Sequence, residues 1–550
     1  MRFRFLVSLL LVPVVLAALP QTGIAQVVGN PGDATILVYP MGISPFDAEN
    51  VQQALDWVAS PGTVVLKSAD MLGNPLAFDF GGTAPGNGAV IKLLRPDIVL
   101  TGDGWDESLD EPKTKIIKGG GPFTFSPTVA GAQMVFAVRA PGVTIREIKL
   151  NTTLAATGVY IVSTTEFLAS DHPVVIEGCH IAANTYPILA LYTAAFPVRV
   201  DGNSLWGAAG VSGQWIGFTL RPIDSLPYDE PVVPEDALGN PIRFPFEIIN
   251  NTIVKIGANT TAPLAIQGWG NYYNYLASPA NPDPELGSRR VRPSATVPYT
   301  NQFVQGDNGP VLIAGNDISA TVSPGTALFV LQLGYTYAGL NNCVVWRNTI
   351  SGVNYTSIRR FSYGRNTIIL DNDLSGAQSV VSITIEAGDT LVAENILGPI
   401  IFIPGTYPDG IPQPSMVLNS SNYNPGATPM PYPTERSALI KNDFSLTGAA
   451  SGAILIASRA ELRAPTGVGT EVKNNLIFET GKFMPGSGGP GNQITLLDDM
   501  INPATGLPYV YDNRIVGFSA AGLNDPGIGQ QVREVNRIRR MLQRGLWPFN

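Results

Sequence analysis

Short apolar runs along the chain end in the same way: a polar residue, an asparagine, and an aliphatic residue two positions later. TIILDNDL at 367–374 and TLVAENIL at 390–397 are two such runs. Val, Ile and Leu alternate within them, which is typical of short strands with one buried face. Asn348, Asn372 and Asn395 follow each other at spacings of 24 and 23 residues. A pattern repeated at this period predicts a solenoid.

The asparagine column extends well beyond these runs. An inward polar side chain at a bend needs partners, and an amide can bond both to the backbone and to the asparagine of the next turn. The column is therefore predicted to be a structural ladder at a repeated turn. Its predicted members are Asn203, Asn251, Asn316, Asn348, Asn372, Asn395, Asn442, Asn474 and Asn513, with Cys179 in the asparagine place of the first run.

The N-terminal part of the chain carries a second, less regular pattern. VQQALDWVASPGTVVLK at 51–67 places apolar residues at helical spacing and then turns into a strand, which predicts a helix over 48–59. The stretch at 98–120 and GVTIREIKL at 142–150 follow. Together with the repeats, this order resembles the opening of pectin-lyase-like, right-handed parallel β-helix proteins, over roughly residues 45–520.

The resemblance implies an all-β fold: a single-stranded right-handed parallel β-helix over 61–520, with short capping helices at both ends. The capping helix at the N-terminal end, within the segment 26–60, would cover an edge that is prone to aggregation. The motifs of particular catalytic families of this fold are absent, so the resemblance does not indicate an activity.

Both termini have patterns of their own. Residues 1–25 have a basic start, an apolar run and small residues before a cleavage point, which predicts a signal peptide and a secreted, periplasmic or cell-surface location. Residues 521–550 are predicted to contain an amphipathic helix with arginines around its apolar face. This helix is interpreted as a cover on the last turns, or alternatively as a basic helix that binds an anionic surface or a partner.

Composition narrows the classes of function. The 550 residues carry a net charge of -9, which argues against nucleic-acid binding. No further stretch has the length of uninterrupted apolar sequence that a spanning helix needs. Cys179 and Cys343 are too few for a disulfide framework and are predicted to be buried free thiols. His172 and His180 are the only histidines, and their spacing matches no known metal-ligand set.

The strongest catalytic candidates precede three successive asparagines of the column. Arg347, Asp371 and Glu394 should stack on neighbouring turns, with Arg359 and Arg360 nearby. Arginines could hold a sugar acid while a carboxylate holds a cation or moves a proton. The alternative interpretation is that these residues have no catalytic role and simply lie at an exposed turn, where most polar residues are tolerated.

The longest break in the asparagine period, residues 267–310, predicts an insertion that projects from the solenoid. Its aromatic residues could stack on sugar rings, and its arginines could meet carboxylates or sulfates. The other interpretation is that the aromatics attach a long loop to its own domain. The candidate ligand-binding residues are Trp269, Tyr272, Tyr273, Tyr275, Arg289, Arg290 and Arg292.

An acidic loop raises the question of a cation. Calcium prefers several oxygen ligands, but this loop lacks the alternating spacing of an EF-hand, so a solvated loop is the simpler interpretation and no cofactor is predicted. The loop contains Asp103, Asp106, Glu107, Asp110 and Glu111.

Two hypotheses of different classes follow. The first is a non-catalytic surface or matrix protein that binds an extracellular polysaccharide or a cell-surface partner along its flank. The alternative is a polysaccharide-active enzyme, a lyase or a glycoside hydrolase. The missing catalytic motifs and the low content of charged residues, 14%, favour the first.

Overall fold

The computed structural model describes most of the repeat region and both helices. The described residues are 26–81, 89–117, 134–152, 157–162, 170–183, 186–191, 196–207, 211–214, 244–257, 262–267, 310–323, 326–334, 340–361, 365–404, 406, 413–419, 434–448, 452–457, 472–478, 494–497, 501, 506–516 and 526–548. The predicted signal peptide at 1–25 lies outside them. Among the described residues, no helix combines the length and the apolar character required to cross a membrane.

Three strand ladders build the solenoid, and a turn of chain visits them in the order first, second, third sheet. The first and third ladders continue to the last turns, whereas the last strand of the second is Thr349–Arg360 and later turns add only isolated bridges to it. Strands are numbered in chain order. The first sheet contains β1 (Val27–Val28), β2 (Thr35–Val38), β3 (Gly62–Leu66), β6 (Ile98–Thr101), β11 (Thr144–Arg146), β14 (Val174–Glu177), β17 (Val198–Asp201), β20 (Phe246–Ile249), β23 (Val311–Ala314), β26 (Cys343–Trp346), β28 (Thr367–Leu370), β30 (Thr390–Ala393), β33 (Ala438–Ile440), β36 (Leu476–Phe478) and β39 (Arg514–Val516).

The second and third sheets are joined through one long strand, β27 (Thr349–Arg360). The second sheet also contains β4 (Phe78–Asp79), β9 (Thr114–Ile117), β12 (Ile148–Thr152), β15 (His180–Ala183), β18 (Ser204–Gly207), β21 (Thr252–Lys255) and β24 (Asp317–Ser319). The third also contains β5 (Ala89–Leu93), β10 (Met134–Val138), β13 (Thr157–Val162), β16 (Tyr186–Leu191), β19 (Val211–Gln214), β22 (Leu264–Gln267), β25 (Phe329–Leu333), β29 (Ala377–Ile385), β31 (Pro414–Asn419), β34 (Gly452–Ala457) and β37 (Ile494–Leu497).

Two small sheets lie outside these ladders. One is the pair of β7 (Trp105–Asp106) and β8 (Glu111–Pro112). The other consists of β32 (Thr434–Glu435), β35 (Val472–Lys473) and β38 (Val510–Tyr511). Apart from the β1–β2 and β7–β8 pairs, the paired strands run parallel. The predicted parallel β-helix is therefore confirmed.

The core is a continuous apolar column inside the solenoid. Val345, Ile369 and Val392 occupy the same register position on three neighbouring strands and are fully buried. Alternate residues point outward, so each rung contributes its apolar positions to one shared interior. Cys179 and Cys343 are buried and free, as predicted.

The asparagine ladder stands at the turn between the first and second sheets. Asn348 donates from its backbone N–H and from Nδ2 to Oδ1 of Asn372, at 3.0 Å each, and Asn372 repeats this with Asn395. The residue before each asparagine takes the left-handed conformation, with φ of 54° at Arg347 and 56° at Asp371. The turn therefore repeats from rung to rung, and the prediction of a structural ladder is confirmed here.

The predicted ladder was wrong at its far end. Asn474 is the left-handed turn residue, with φ of 54°, and it is Asn475 that is buried and bonded. Asn475 accepts from the backbone of Ser437 and donates to Asn513, so these two asparagines form a second ladder that precedes the first-sheet strands. Pairing of β33 with β36 sets this register. Sequence alignment on the asparagine alone could not distinguish the two turns.

The two helices cover different surfaces. Helix α1 (Phe46–Trp57) contacts strands β1 to β5 at the N-terminal end, which matches the prediction over 48–59. Helix α2 (Pro526–Gln543) lies on the outer face of the first sheet, across strands that include β26, β28, β30 and β33. It therefore flanks these turns. Gly545, with φ of 68°, ends it through a bond from Leu546 N to Met541 O.

Candidate functional site

The connections from the third sheet back to the first differ greatly in length. After β22 the chain runs through 268–310 before β23, and after β31 it runs through 420–433 before β32. Between these two insertions, three successive connections are short: 334–342, 361–366 and 386–389. We call the outer face of the third sheet at β25, β27, β29 and β31, beside these short connections, the notch.

An arginine–glutamate pair stands at the strand ends in the notch. Arg359 on β27 lies in register with Gln332 on β25 and Thr384 on β29, on the face opposite the core residue Ile358. Its guanidinium donates to Glu386 Oε1 at 2.7 Å. Glu386 directly follows β29 and is 2% exposed. The pair is thus nearly desolvated, where charge interactions are stronger than in water.

Two phenylalanines hold the guanidinium in place. The Cζ atom of Arg359 lies 4.3 Å from the ring centroid of Phe329 and 4.2 Å from that of Phe361. The two rings meet edge to face, at 5.7 Å between centroids. Stacking on both sides fixes the plane of the guanidinium and the carboxylate bonded to it.

Several buried polar atoms of this face lack hydrogen-bond partners among the described residues. Glu386 Oε2 and Arg359 Nε are two of them, and Ser382 Oγ on β29 and Asn419 Oδ1 at the end of β31 are two more. Ile385 of β29 pairs with Leu418 of β31. Glu386 and Asn419 are the next residues after this pair, so they occupy equivalent positions on neighbouring rungs. An unsatisfied buried polar atom costs about 1–3 kcal/mol, and proteins rarely retain several together without a use.

The predicted catalytic candidates divide between two faces. Arg347, Asp371 and Glu394 lie on successive rungs of the turn between the first and second sheets, stacked as predicted. Asp371 accepts from Arg539 of α2 at 2.8 and 2.9 Å, and Glu394 accepts from the same guanidinium. Two of the three turn residues, Asp371 and Glu394, therefore bind an arginine that was not foreseen and anchor the helix. Arg347 instead lies over the ring of Trp346.

Arg359 and Arg360 are not near that column, because both lie on the third sheet. Arg360 is fully buried and points inward, in register with the core residues Leu333 and Ile385. It donates to Thr367 Oγ1, the carbonyl of Phe361 and the carbonyl of Leu340. Burial lowers the pKa of Arg360 to about 10. Arg359 alone of this predicted pair belongs to the notch.

Two of the five acidic residues of the loop form ion pairs with lysines. Asp103 pairs with Lys67, and Glu111 pairs with Lys149 and with Lys115 at 3.3 Å. The Lys149 ammonium holds the pKa of Glu111 below its ordinary value. Over the described residues, no group of three or more His, Cys, Asp or Glu side chains has an arrangement that could hold a metal ion.

The predicted ligand-binding residues of the insertion lie outside the described residues, from Trp269 to Arg292. Their role remains a prediction. Gln267 ends β22 on the third sheet, so the insertion begins at the same edge of that sheet as Glu386 and Asn419.

Glu386 and Asn419 were not predicted from the sequence. One signal was available for Glu386: it is a charged residue directly after the long apolar strand AQSVVSITI. Asn419 and Ser382 carried no such signal, because only register places them beside Glu386.

The environments of the two histidines shift their pKa values in opposite directions, so a titration can distinguish them. Asp97 bonds His172 Nδ1 at 2.6 Å and raises the pKa of that imidazole, whereas burial and then the charge of Lys149 lower the pKa of His180. We expect one histidine to titrate above pH 6.5 and the other below it, as measured by NMR. The stability that the His172 pair contributes is present at pH below 6.5 and lost as pH rises through the raised pKa.

Asp97→Asn is the control for this assignment. It should lower the pKa of His172 and leave that of His180 unchanged. Two coincident titrations in the wild-type protein would contradict these environments.

Comparison with known proteins adds little beyond the fold. No protein-family model matches the sequence, and no curated protein matches it significantly. The chain is a parallel β-helix. Among solved structures it is similar to the Dettilon tailspike protein, at 12% identity over 84% of this chain and 68% of the other, with a TM-score of 0.37.

Two enzymes are similar to the same degree. A PL6 family polysaccharide lyase from Pseudopedobacter saltans matches at 10% identity over 86% of this chain and 95% of the lyase, with a TM-score of 0.38. DFA-IIIase from Arthrobacter chlorophenolicus A6 matches at 9% over 86% and 97%, with a TM-score of 0.40. Values this low carry no argument about activity, and the fold rests on the strand pairing of this chain.

Proposed function

We propose that the protein binds an extracellular polysaccharide in the notch, along the outer face of the third sheet. The observation that carries the proposal is the group of buried, unpartnered polar atoms around Glu386, Arg359 and Asn419. The hydroxyl groups of a sugar both donate and accept, so a sugar residue that displaces the groups now covering these buried atoms could satisfy the two free acceptors and the free donor. Ring stacking of Arg359 keeps these groups in place before a ligand arrives, which lowers the ordering cost of binding.

The chain order also supports this location. Specific recognition needs concavity, and a bare solenoid face is nearly flat. Insertions 268–310 and 420–433 leave the third sheet on either side of three short connections. If they rise above the sheet, they form the walls of a cleft whose floor holds Arg359 and Glu386. Trp269 and Tyr273 of the first insertion would then contribute stacking surfaces to the upstream wall.

An enzyme of the polysaccharide-active class is the second candidate, and the free Oε2 atom of Glu386 favours it. A desolvated carboxylate beside a fixed arginine is suited to accept a proton from a sugar while the cation stabilises developing negative charge. Hydrolysis of a glycosidic bond commonly requires two carboxylates. Asp389 is the next one along the chain, but Arg436 binds it at 2.7 and 2.9 Å. Elimination therefore fits this group of residues better than hydrolysis.

Glu386→Gln tests the site directly. The amide keeps the shape of the side chain but removes the negative charge and one acceptor. We expect binding to a responsive polysaccharide to weaken at least tenfold, measured by affinity electrophoresis across neutral and acidic polymers. Tm should fall as well, because the variant leaves the largely buried Arg359 without its counter-ion, so binding is compared at a temperature at which both proteins are folded. Trp269→Ala/Tyr273→Ala should weaken binding similarly if the insertion forms a wall.

Glu177→Gln is the matched control, because Glu177 lies on the outer face of the first sheet, away from the notch. It should bind like the wild-type protein. The same polymers are assayed for new unsaturated or reducing ends. If the wild-type protein produces new polymer ends and Glu386→Gln does not, the protein is an enzyme and Glu386 is required for its activity. Unchanged binding by Glu386→Gln contradicts the proposed site.

A further inference from the structure

Helix α2 carries a row of arginines along its outward side. Arg533, Arg537, Arg540 and Arg544 follow at spacings of four, three and four residues, which places them on one side of a helix with 3.6 residues per turn. Arg544 directly follows the last helical residue, Gln543. All four are exposed. We call these four residues the arginine ridge.

The opposite side of the helix is fixed to the solenoid. Val535, Ile538 and Leu542 are buried against outward residues of the first sheet, among them Ile368 and Ile440. Arg539 adds its bonds to Asp371 and Glu394 beside this apolar contact. The ridge is therefore held at a set position on the flank and does not depend on a partner to become ordered.

Most of the positive charge of the ridge is unpaired. Arg537 pairs with Glu534 of its own helix at 2.6 Å. The side chains of Arg533, Arg540 and Arg544 make no hydrogen bond or ion pair within the part of the chain that the structure describes. On a protein with a net charge of -9, such a row is a local basic strip. At a rise of 1.5 Å per residue it is about 16 Å long.

We propose that the arginine ridge binds a linear acidic polysaccharide that carries carboxylate or sulfate groups. A guanidinium bonds such groups with two parallel hydrogen bonds, and a straight row of cations matches an extended polyanion. This surface lies on the first-sheet flank, whereas the notch lies on the third sheet. The inference therefore does not depend on the function proposed above.

Two other anionic partners fit less well. A basic helix that binds a membrane inserts its apolar face into the lipid boundary, but here that face is buried against the sheet. Single-stranded nucleic acid is bound by basic grooves with aromatic residues on which bases stack. The residues between the arginines include Glu534, Asn536, Met541 and Gln543, and none is aromatic.

The test compares two double variants of the full chain with equal change of charge. Arg540→Gln/Arg544→Gln alters the ridge, and Lys113→Gln/Lys115→Gln alters two exposed lysines at the N-terminal turns, away from α2. Glutamine keeps helix propensity, and neither arginine contacts the sheet, so Tm should stay within a few degrees. Probes are polygalacturonate, heparin, and vesicles that contain phosphatidylserine, at low and physiological salt.

We expect the ridge variant to lose at least tenfold in affinity for polygalacturonate or heparin, and the lysine variant less than twofold. Wild-type binding should weaken as salt rises, because exposed charges are screened. Equal losses in the two variants would mean that net charge alone attracts the polymer, and would overturn the proposal. Binding to vesicles without binding to either polysaccharide would overturn it as well.

Discussion

Replacing Asn372 with leucine should lower the free energy of unfolding by about 3 kcal/mol. Asn372 donates to the carbonyls of Val345 and Leu370 and to Asn395 Oδ1, and it accepts two bonds from Asn348. Leucine has a similar size but can make none of these bonds. Each buried group left without a partner costs about 1–3 kcal/mol, and only part of that is recovered by apolar burial.

Chemical denaturation monitored by circular dichroism measures this loss as a lower midpoint. Asp317→Leu is the control: Asp317 directly follows the ladder residue Asn316, but its side chain is exposed. An exposed substitution of this kind usually changes stability by less than about 0.5 kcal/mol. Similar losses in both variants would mean that the ladder bonds contribute nothing to stability.

Arg539→Glu should release helix α2 from the solenoid, at a cost of about 2–4 kcal/mol for the docked helix. In the wild-type protein one guanidinium binds both Asp371 and Glu394, and all three side chains are about three-quarters buried or more. The variant brings a third carboxylate against two others, so attraction becomes repulsion. Removal of one member of a largely buried ion pair typically costs 3–5 kcal/mol, and the remaining exposure reduces this.

Hydrogen exchange of the helix amides and trypsin cleavage at the exposed arginines report the release. Arg540→Glu changes the charge equally on the next residue, whose side chain faces solvent, and should leave the helix protected. Asp371→Asn should act on the helix in the same direction as Arg539→Glu, more weakly, because Glu394 remains. If Arg539→Glu and Arg540→Glu expose the helix equally, the ion pairs do not hold it.

The sequence predicted the solenoid well because the repeat is local. Alternating Val, Ile and Leu define which face is buried, and a polar residue followed by asparagine defines the turn. The sequence alone therefore predicted that Asn348, Asn372 and Asn395 lie on adjacent rungs, and their hydrogen bonds confirm it. Asn474 was misplaced because the same two-residue pattern occurs at two different turns, and only strand register separates them.

The candidate site was harder to predict, because its residues come from different rungs. Arg359 was selected from the sequence, yet its neighbour Arg360 points into the core. Glu386 meets Arg359 over 27 residues of chain, and Asn419 lies one rung further on. The position of Arg539 against Asp371 spans 168 residues, a contact that no local pattern encodes.

The sequence by itself determined the repeat, the buried column, the turn with its asparagine, and the presence of both terminal helices. These features depend on interactions within one turn or between adjacent turns, and side-chain periodicity reports them directly. Tertiary structure alone decided which face α2 covers and which polar atoms are left without partners. It also brought Arg359 and Glu386 to the same strand edge. Such features depend on how many residues each connection inserts, since that sets which side chains of successive turns become neighbours.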